Sequence, residues 1–474
     1  MTDKIKANDK QSIFVKVITT KKNKTMITNY PSLKFYIPTN LDLDNINGYK
    51  EKHKEKYLWF IHSILYKSLV TKNDFNGYVN LNKELLVKYI GQNFYNKIKL
   101  ALIDAGIVQY NKCYSAGAFS KSYRLSSKYR NAKIKAIDIT KQTYCRKVYN
   151  SRSEYLELIF KDNALLRKEF LALTYAKIDY DKAIEFINEN YEQHTPEYKS
   201  RLVAIDQFNR MHEADFGNGY FTDFTFIENK GRVYTPFTML SRDVEQFIYF
   251  TGFEDERTVT MDMPNSQLCF YDELIERRKV IHIGSVVESR KRVERVRIIK
   301  TFGENSPPTL THSPTPYVYH FSTRWTDYIF NGIGYERMMY LTNWKEKETN
   351  HTKEERQEFK AEFFGQLFYN KYSDRLTDME MIFMANHEET AIQLRELKKK
   401  LGNKLLAVEV QRLESLFFHK IIVSHITENY RDIPFIIKHD SVTVPESVAD
   451  FLTVELNVLA KEFFRCKTIE LKLS

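Results

Sequence analysis

The strongest constraint in this sequence is a pair of aspartates placed at the ends of apolar, strand-forming runs. Asp262 follows Thr258-Val259-Thr260-Met261 and opens the string Asp262-Met263-Pro264-Asn265-Ser266-Gln267. Asp440 follows Pro434-Phe435-Ile436-Ile437 in the string Lys438-His439-Asp440-Ser441-Val442. A carboxylate at the end of a buried strand is costly unless a cation compensates it. Two of them, from distant parts of one chain, fit convergence on a pair of Mg²⁺ ions that activate a hydroxyl and stabilise a leaving pyrophosphate. Each alone is more often a cap or an ion-pair partner than a catalytic group.

The chain has 474 residues, enough for several domains, and a formal net charge of +11. A basic balance favours a polyanionic partner, because neutralising phosphates releases counterions. The Phe and Tyr content suits base stacking as well as core packing. Cys113, Cys145, Cys269 and Cys466 stand alone with no C-x-x-C pair. That argues against a zinc site or a disulfide framework and suits a reducing cytoplasm. The polar N-terminus lacks an apolar signal core and no run approaches the length of a membrane span, so a cytoplasmic location without membrane contact is expected.

Residues 1–50 read as a polar arm. From residue 51 to 133 the order is helix (around Tyr57–Leu65), short strand (Gly77–Leu81), helix (Lys83–Ile90, capped by Asn82 and ended by Gly91), helix (Phe94–Ala105, ended by Gly106), then a hairpin from Ile107–Tyr110 to Ser122–Leu125. This is the order of a winged helix-turn-helix. Lys97 and Lys99 on its third helix, and Lys112, Lys121 and Arg124 around the wing, fall where such a domain meets phosphates. Winged helices also serve as protein-contact modules. Residues 150–215 read as amphipathic helices, helices dominate 353–430, and the tract 280–319 reads as an insertion or loop.

Further segments bear on the aspartates. In Glu228-Asn229-Lys230-Gly231-Arg232-Val233-Tyr234, a Gly-Arg turn can bring backbone close to a phosphate that the guanidinium grips; an ordinary hairpin turn reads the same way. Arg356, Lys360, Phe364 and Phe368 recur at i+4 and predict one helical face with cations for a triphosphate and rings for a base or sugar. A charged helix with its aromatics packed inward has the same pattern.

In order, these segments resemble those of the single-subunit right-hand polymerases: family A DNA polymerases and the phage- and mitochondrial-type RNA polymerases. Glu228-x-x-Gly231-Arg232 resembles their Asp/Thr-x-x-Gly-Arg element, with Glu as a departure. Asp262-x-x-x-Ser266 resembles motif A with RNA-polymerase spacing. Arg356-x-x-x-Lys360-x-x-x-Phe364-Gly365 is similar to motif B, and His439-Asp440-Ser441 to motif C. The resemblance covers about 215–474.

It implies an α+β fold, a helix-rich right-hand polymerase joined to the N-terminal winged helix. A helical thumb-like region would span 134–215, the palm 216–290 and 401–474, and the fingers 291–400. It also implies roles. Asp262 and Asp440, with the Met263 carbonyl, would hold two Mg²⁺ (or Mn²⁺) ions. Arg356 and Lys360 would bind the triphosphate, with Lys360 protonating pyrophosphate, and Phe364, Phe368 and Gln267 would contact the nucleotide. Gly231, Arg232 and His439 would hold template or primer. The expected partners are nucleoside triphosphates and nucleic acid, a DNA template or RNA.

The sugar preference is divided: Cys269 stands near the place of the glutamate that excludes ribose in the DNA enzymes, whereas Phe364 and Phe368 are DNA-enzyme choices. The expected activity is template-directed nucleotidyl transfer, in a phage, plasmid or other mobile element. A non-catalytic, DNA-binding replication initiator is the alternative.

Overall fold

The computed structural model describes residues 30–70, 77–111, 121–210, 224–288, 325–346, 351–465 and 471–473. The chain is a helix-rich α+β protein with several small antiparallel sheets.

In the N-terminal region, helix α1 (Lys54–Val70) buries Tyr57, Leu58, Phe60, Ile61, Ile64 and Leu65. Strand β2 (Val79–Asn80) follows, then α2 (Lys83–Ile90) and α3 (Gln92–Asp104). The Asn82 side chain accepts a hydrogen bond from the Glu84 N–H at 2.7 Å, the cap that its position predicts. Gly91, at φ +94°, makes the sharp turn between the two helices. Strands β3 (Val108–Asn111) and β4 (Ser122–Leu125) complete a three-stranded sheet of order β2-β4-β3.

Residues 30–50 differ from the polar arm expected of them. Leu33–Pro38 forms β1, paired along its length with β5 (Ile134–Ile139), and Phe35, Tyr36 and Ile37 are buried. Tyr36 donates its hydroxyl to Asp206 on the helix Pro196–Asn209, at 3.1 Å. A short apolar run inside a polar stretch shows no partner locally, because its partner strand lies far along the chain.

The helices α4 (Gln142–Lys161), α5 (Ala164–Leu173), α6 (Tyr180–Asn190) and α7 (Pro196–Asn209) follow. Two small antiparallel pairs accompany them: the long-range pair of β6 (Ala176–Ile178), between α5 and α6, with β9 (Ile248–Phe250), and the hairpin of β7 (Thr225–Ile227) with β8 (Arg232–Tyr234).

The largest core surrounds a four-stranded antiparallel sheet of order β11-β12-β10-β13, formed by β10 (Thr258–Asp262), β11 (Ile436–Lys438), β12 (Ser441–Pro445) and β13 (Lys472–Leu473). Its helices include α8 (Ser266–Glu288), α9 (Trp325–Phe330), α10 (Gly334–Leu341), α11 (Lys353–Phe363), α12 (Asp378–Asn386), α13 (Glu388–Ser415), α14 (Val423–Asn429) and α15 (Glu446–Phe463). Met261, Val442 and Val444 are fully buried, as are Leu452 and Leu456 of α15, which packs on β10 and β12. The tract 280–319 begins as the last turns of α8, to Glu288; residues 289–319 lie outside those described. No helix among the described residues is long and apolar enough to cross a membrane.

A candidate active site at the end of the sheet

Strand register brings the two aspartates together. β10 and β12 pair antiparallel with Asp262 opposite Ser441, and β11 turns into β12 through the two-residue loop His439-Asp440. His439 takes φ +55°, a conformation histidine tolerates better than β-branched residues do. The Met263 N–H donates to the Asp440 carbonyl at 3.2 Å, tying the segment after β10 to that loop. The Thr260 and Thr443 hydroxyls, 2.9 Å apart, hold the register from the side.

The electrostatics follow from that placement. The Asp262 carboxyl is pushed above the usual carboxylate range by burial and then by the Asp440 charge, while Arg242 and Lys360 oppose the shift. Arg242 Nη2 lies 3.2 Å from Asp262 Oδ2, with its side chain 77% exposed. So exposed a pair is worth about 0–1 kcal/mol. Ser266, at the start of α8, donates its hydroxyl to Asp440 Oδ2. Asn265, at φ +53°, makes the turn that starts α8 and donates to the Ile329 carbonyl at 3.4 Å. Gln267 is half-buried in the first turn.

Facing the carboxylates, α11 carries Arg356 and Lys360 along one side. Lys360 reaches solvent, yet its pKa is lowered, first by loss of water around it and also by Arg356 and Arg242; Asp440 and Asp262 pull it back up. Arg356 Nε donates to Glu336 Oε1 at 2.6 Å. Both cations lie over the ring of Tyr335, at 5.3 Å for Arg356 and 5.2 Å for Lys360.

Other expected residues are placed differently. Phe364 and Phe368 are 4% and 2% exposed, packed on each other at 5.1 Å and, for Phe368, on Tyr271 at 4.1 Å. They belong to the core and present no face to a nucleotide, because burying an aromatic ring stabilises by about 1.5–3 kcal/mol. The helix also changes here: Phe364–Tyr369 is π-helical, and its wider turns rotate later residues off the α-helical face.

Arg232 and Gly231 also have inward tasks. Arg232 Nη2 is 2.7 Å from Glu414 Oε1 on α13, and both side chains are largely buried. Gly231, at φ +68°, ends the β7–β8 turn, and a Cβ there would sit 2.6 Å from Ser415 Oγ, which donates to the Gly231 carbonyl. The close backbone approach that the Gly-Arg pair predicts is thus an approach to α13. His439 lies between the site and this buried pair, its ring 5.9 Å from Tyr234. Burial, and then the charge of Arg232, hold its pKa down at about 4.

Ser266 was visible as part of a motif spacing. Arg242, Glu414 and Tyr335 carried no sequence signal, since each reaches the site through packing. Glu414 is pushed up to about 7 by burial and, more weakly, by Asp440, against the pull of Arg232. Among the described residues, no group of three or more His, Cys, Asp and Glu side chains is disposed to hold a metal. A metal here would rest on two carboxylates and backbone oxygen.

In the N-terminal region, Lys97 and Lys121 are exposed and Lys99 is partly buried over Tyr95, at 5.4 Å. Burial lowers the Lys99 pKa, and the nearby charges of Lys121 and Lys83 lower it further. Arg124 is engaged with Gln109 at 2.8 Å and with the Tyr78 ring at 4.4 Å. Lys112 lies outside the described residues.

No family model matches the chain, and no curated protein matches it.

Proposed function

We propose that the chain is a template-directed nucleotidyltransferase that joins a nucleoside triphosphate to a 3′ hydroxyl and releases pyrophosphate. The observation that carries this reading is the convergence of Asp262 and Asp440 on adjacent strands, faced by Lys360 and Arg356 from α11. Burial raises Asp262 and the Asp440 charge raises it further; a divalent cation relieves both the lost hydration and the repulsion, and hard carboxylate oxygens suit Mg²⁺. Asp262, Asp440 and the Met263 carbonyl would hold the metal, with Ser266 fixing the Asp440 carboxylate. When bound, Mg²⁺ supplies charge neutralisation and an activated hydroxyl.

The chain's own residues do the rest. Arg356 and Lys360 hold the triphosphate by charge-assisted hydrogen bonds. Lys360 Nζ, its pKa already lowered, gives a proton to the departing pyrophosphate oxygen. The N-terminal element order, with its β2-β4-β3 sheet and with Lys83 and Lys121 near Lys99, supports a winged helix that docks on DNA.

Primer extension by the intact protein with Mg²⁺, on a primed DNA template with rNTPs or dNTPs, tests the reading. Product is expected, and Asp440→Asn should abolish it while DNA binding persists. No product with either set, or full activity in Asp440→Asn, would end it.

One observation favours a second reading, a non-catalytic DNA-binding initiator: Asp262 already has a cationic partner, Arg242, 3.2 Å away. If that pairing is the purpose of Asp262, Arg242→Ala lowers stability and no variant synthesises. If the polymerase reading holds, Arg242→Ala leaves synthesis in place.

A further inference from the structure

Two long helices begin at one pocket of the N-terminal region. α3 starts at Gln92 and α4 at Gln142, and in neither does a side chain cap the first N–H groups. Gly91, before α3, has no side chain to do so, and Lys141, before α4, carries only donors. Gln92 and Asn93 of the one start, and Thr143 of the other, line an open pocket of about 300 Å³. A helix start is electropositive, and its amides and dipole favour an anion.

The side chains add charge of the same sign. Lys56, Lys141 and Lys147 line the pocket. Lys56 lies over the Phe94 ring at 3.3 Å. Its pKa is lowered first by burial and then by the charges of Lys147 and Lys141, with Glu55 opposing. The lysines are thus near enough to repel one another. Glu55 brings a carboxylate to the pocket, and Lys141 pairs with it at 3.1 Å. Cations gathered at two helix starts work against both dipoles, an arrangement that an outside anion relieves.

A buried donor completes the site. Tyr144 lines the pocket from the first turn of α4 and is 7% exposed. Its hydroxyl is buried and has no hydrogen-bond partner among the described residues. Burial, then Tyr89 and Glu55, raise its pKa, so it keeps its proton; both of those residues line the same pocket. A buried donor without an acceptor is rare in a fold, and a ligand in this pocket would supply one.

We infer that this pocket binds a terminal phosphoryl group, held by the starts of α3 and α4, by Lys56 and by Lys147, with Tyr144 donating to one of its oxygens. The pocket is concave and its hydroxyl donor is nine-tenths buried. A phosphate within a nucleic-acid backbone carries chain on both sides, which keeps it out; a terminal one enters end-on. The ligand is a nucleoside monophosphate or the 5′-phosphorylated end of a strand, whose terminal groups are chemically alike. The site is separate from Asp262 and Asp440 and does not depend on what they do.

Isothermal titration calorimetry of the intact protein in metal-free buffer tests this. The probes are adenosine monophosphate, adenosine, and a trinucleotide with either a 5′ phosphate or a 5′ hydroxyl. Saturable binding is expected for the phosphorylated member of each pair, at least about tenfold tighter than for the other. Tighter binding of the phosphorylated trinucleotide than of the monophosphate assigns a strand end; equal or weaker binding assigns the free nucleotide. Tyr144→Phe and Lys147→Ala should each weaken binding about tenfold, the worth of one charge-assisted hydrogen bond. Tyr144→Phe should not lower Tm, because its hydroxyl is unpaired in the fold, and Lys360→Ala should leave affinity unchanged. No saturable binding of either phosphorylated probe, binding indifferent to the phosphate, affinity or Tm in Tyr144→Phe opposite to these expectations, or affinity lost in Lys360→Ala would each overturn the assignment.

Discussion

Glu414 shows how a single residue couples the site to its support. Its carboxyl is 3% exposed, paired with Arg232, and pushed up to about 7. A folded-state pKa above the ordinary value of 4.5 means that the native state binds the proton more tightly than the unfolded chain does. The stabilisation is full below about pH 4.5 and is lost as pH rises to about 7, by on the order of 3 kcal/mol. Denaturant unfolding in metal-free buffer should show this decline, and Glu414→Gln should remove it; a decline that survives the substitution would place its origin elsewhere. Gly231 is the second residue whose identity is dictated by its close neighbours. Gly231→Ala combines a left-handed backbone with a Cβ 2.6 Å from Ser415 Oγ. It should cost roughly 1–3 kcal/mol, partly recovered by Ser415→Ala, as read from urea midpoints.

Among the elements, the helix that carries Arg356 and Lys360 is the one whose sequence misleads most. Its i+4 pattern is real, and Arg356 and Lys360 share a side as the pattern predicts. The pattern does not say which residues meet solvent. The rings of Phe364 and Phe368 turned inward because α8 and α10 offer Tyr271 and Tyr335 as packing partners. The π-helical end of this element is anchored by Lys398 of α13, which is 1% exposed. Its ammonium donates to the Leu367 carbonyl at 3.1 Å, to Asn370 Oδ1, and to Glu380 Oε1 at 2.9 Å. Lys398→Met leaves Glu380 buried with less compensation and should cost about 3–5 kcal/mol by chemical denaturation. Adding Glu380→Gln should restore most of that loss. If the single variant is as stable as the parent, the anchor carries no energy.

At the scale of the whole molecule, one chain joins a basic N-terminal region to a carboxylate site built from strands on either side of a long helical excursion. If Lys97, Lys99 and Lys121 meet DNA phosphates, replacing all three by alanine should flatten the dependence of log Kd on log salt. The slope should fall by up to about 0.9 for each phosphate that is no longer neutralised. Fluorescence anisotropy with a DNA duplex across a salt series measures it. An unchanged slope would remove those lysines from the DNA interface. Synthesis on a short primed template should survive the triple substitution if the two regions act separately.

By itself the sequence determined what is local. Helix starts and stops around Asn82, Gly91 and Gly106, the strands ending at Asp262 and leading to Asp440, and the Arg356–Lys360 spacing are written in periods of two to four residues. Such signals need only backbone geometry and capping chemistry. The tertiary structure alone decided the rest: the pairing of β1 with β5, the Arg232–Glu414 pair, the Ser266–Asp440 hydrogen bond, the inward turn of Phe364 and Phe368, and the position of Tyr335 beneath the two cations. Each of these depends on which surfaces meet across long separations. Burial and desolvation are properties of the assembled core, and no window of neighbouring residues contains them.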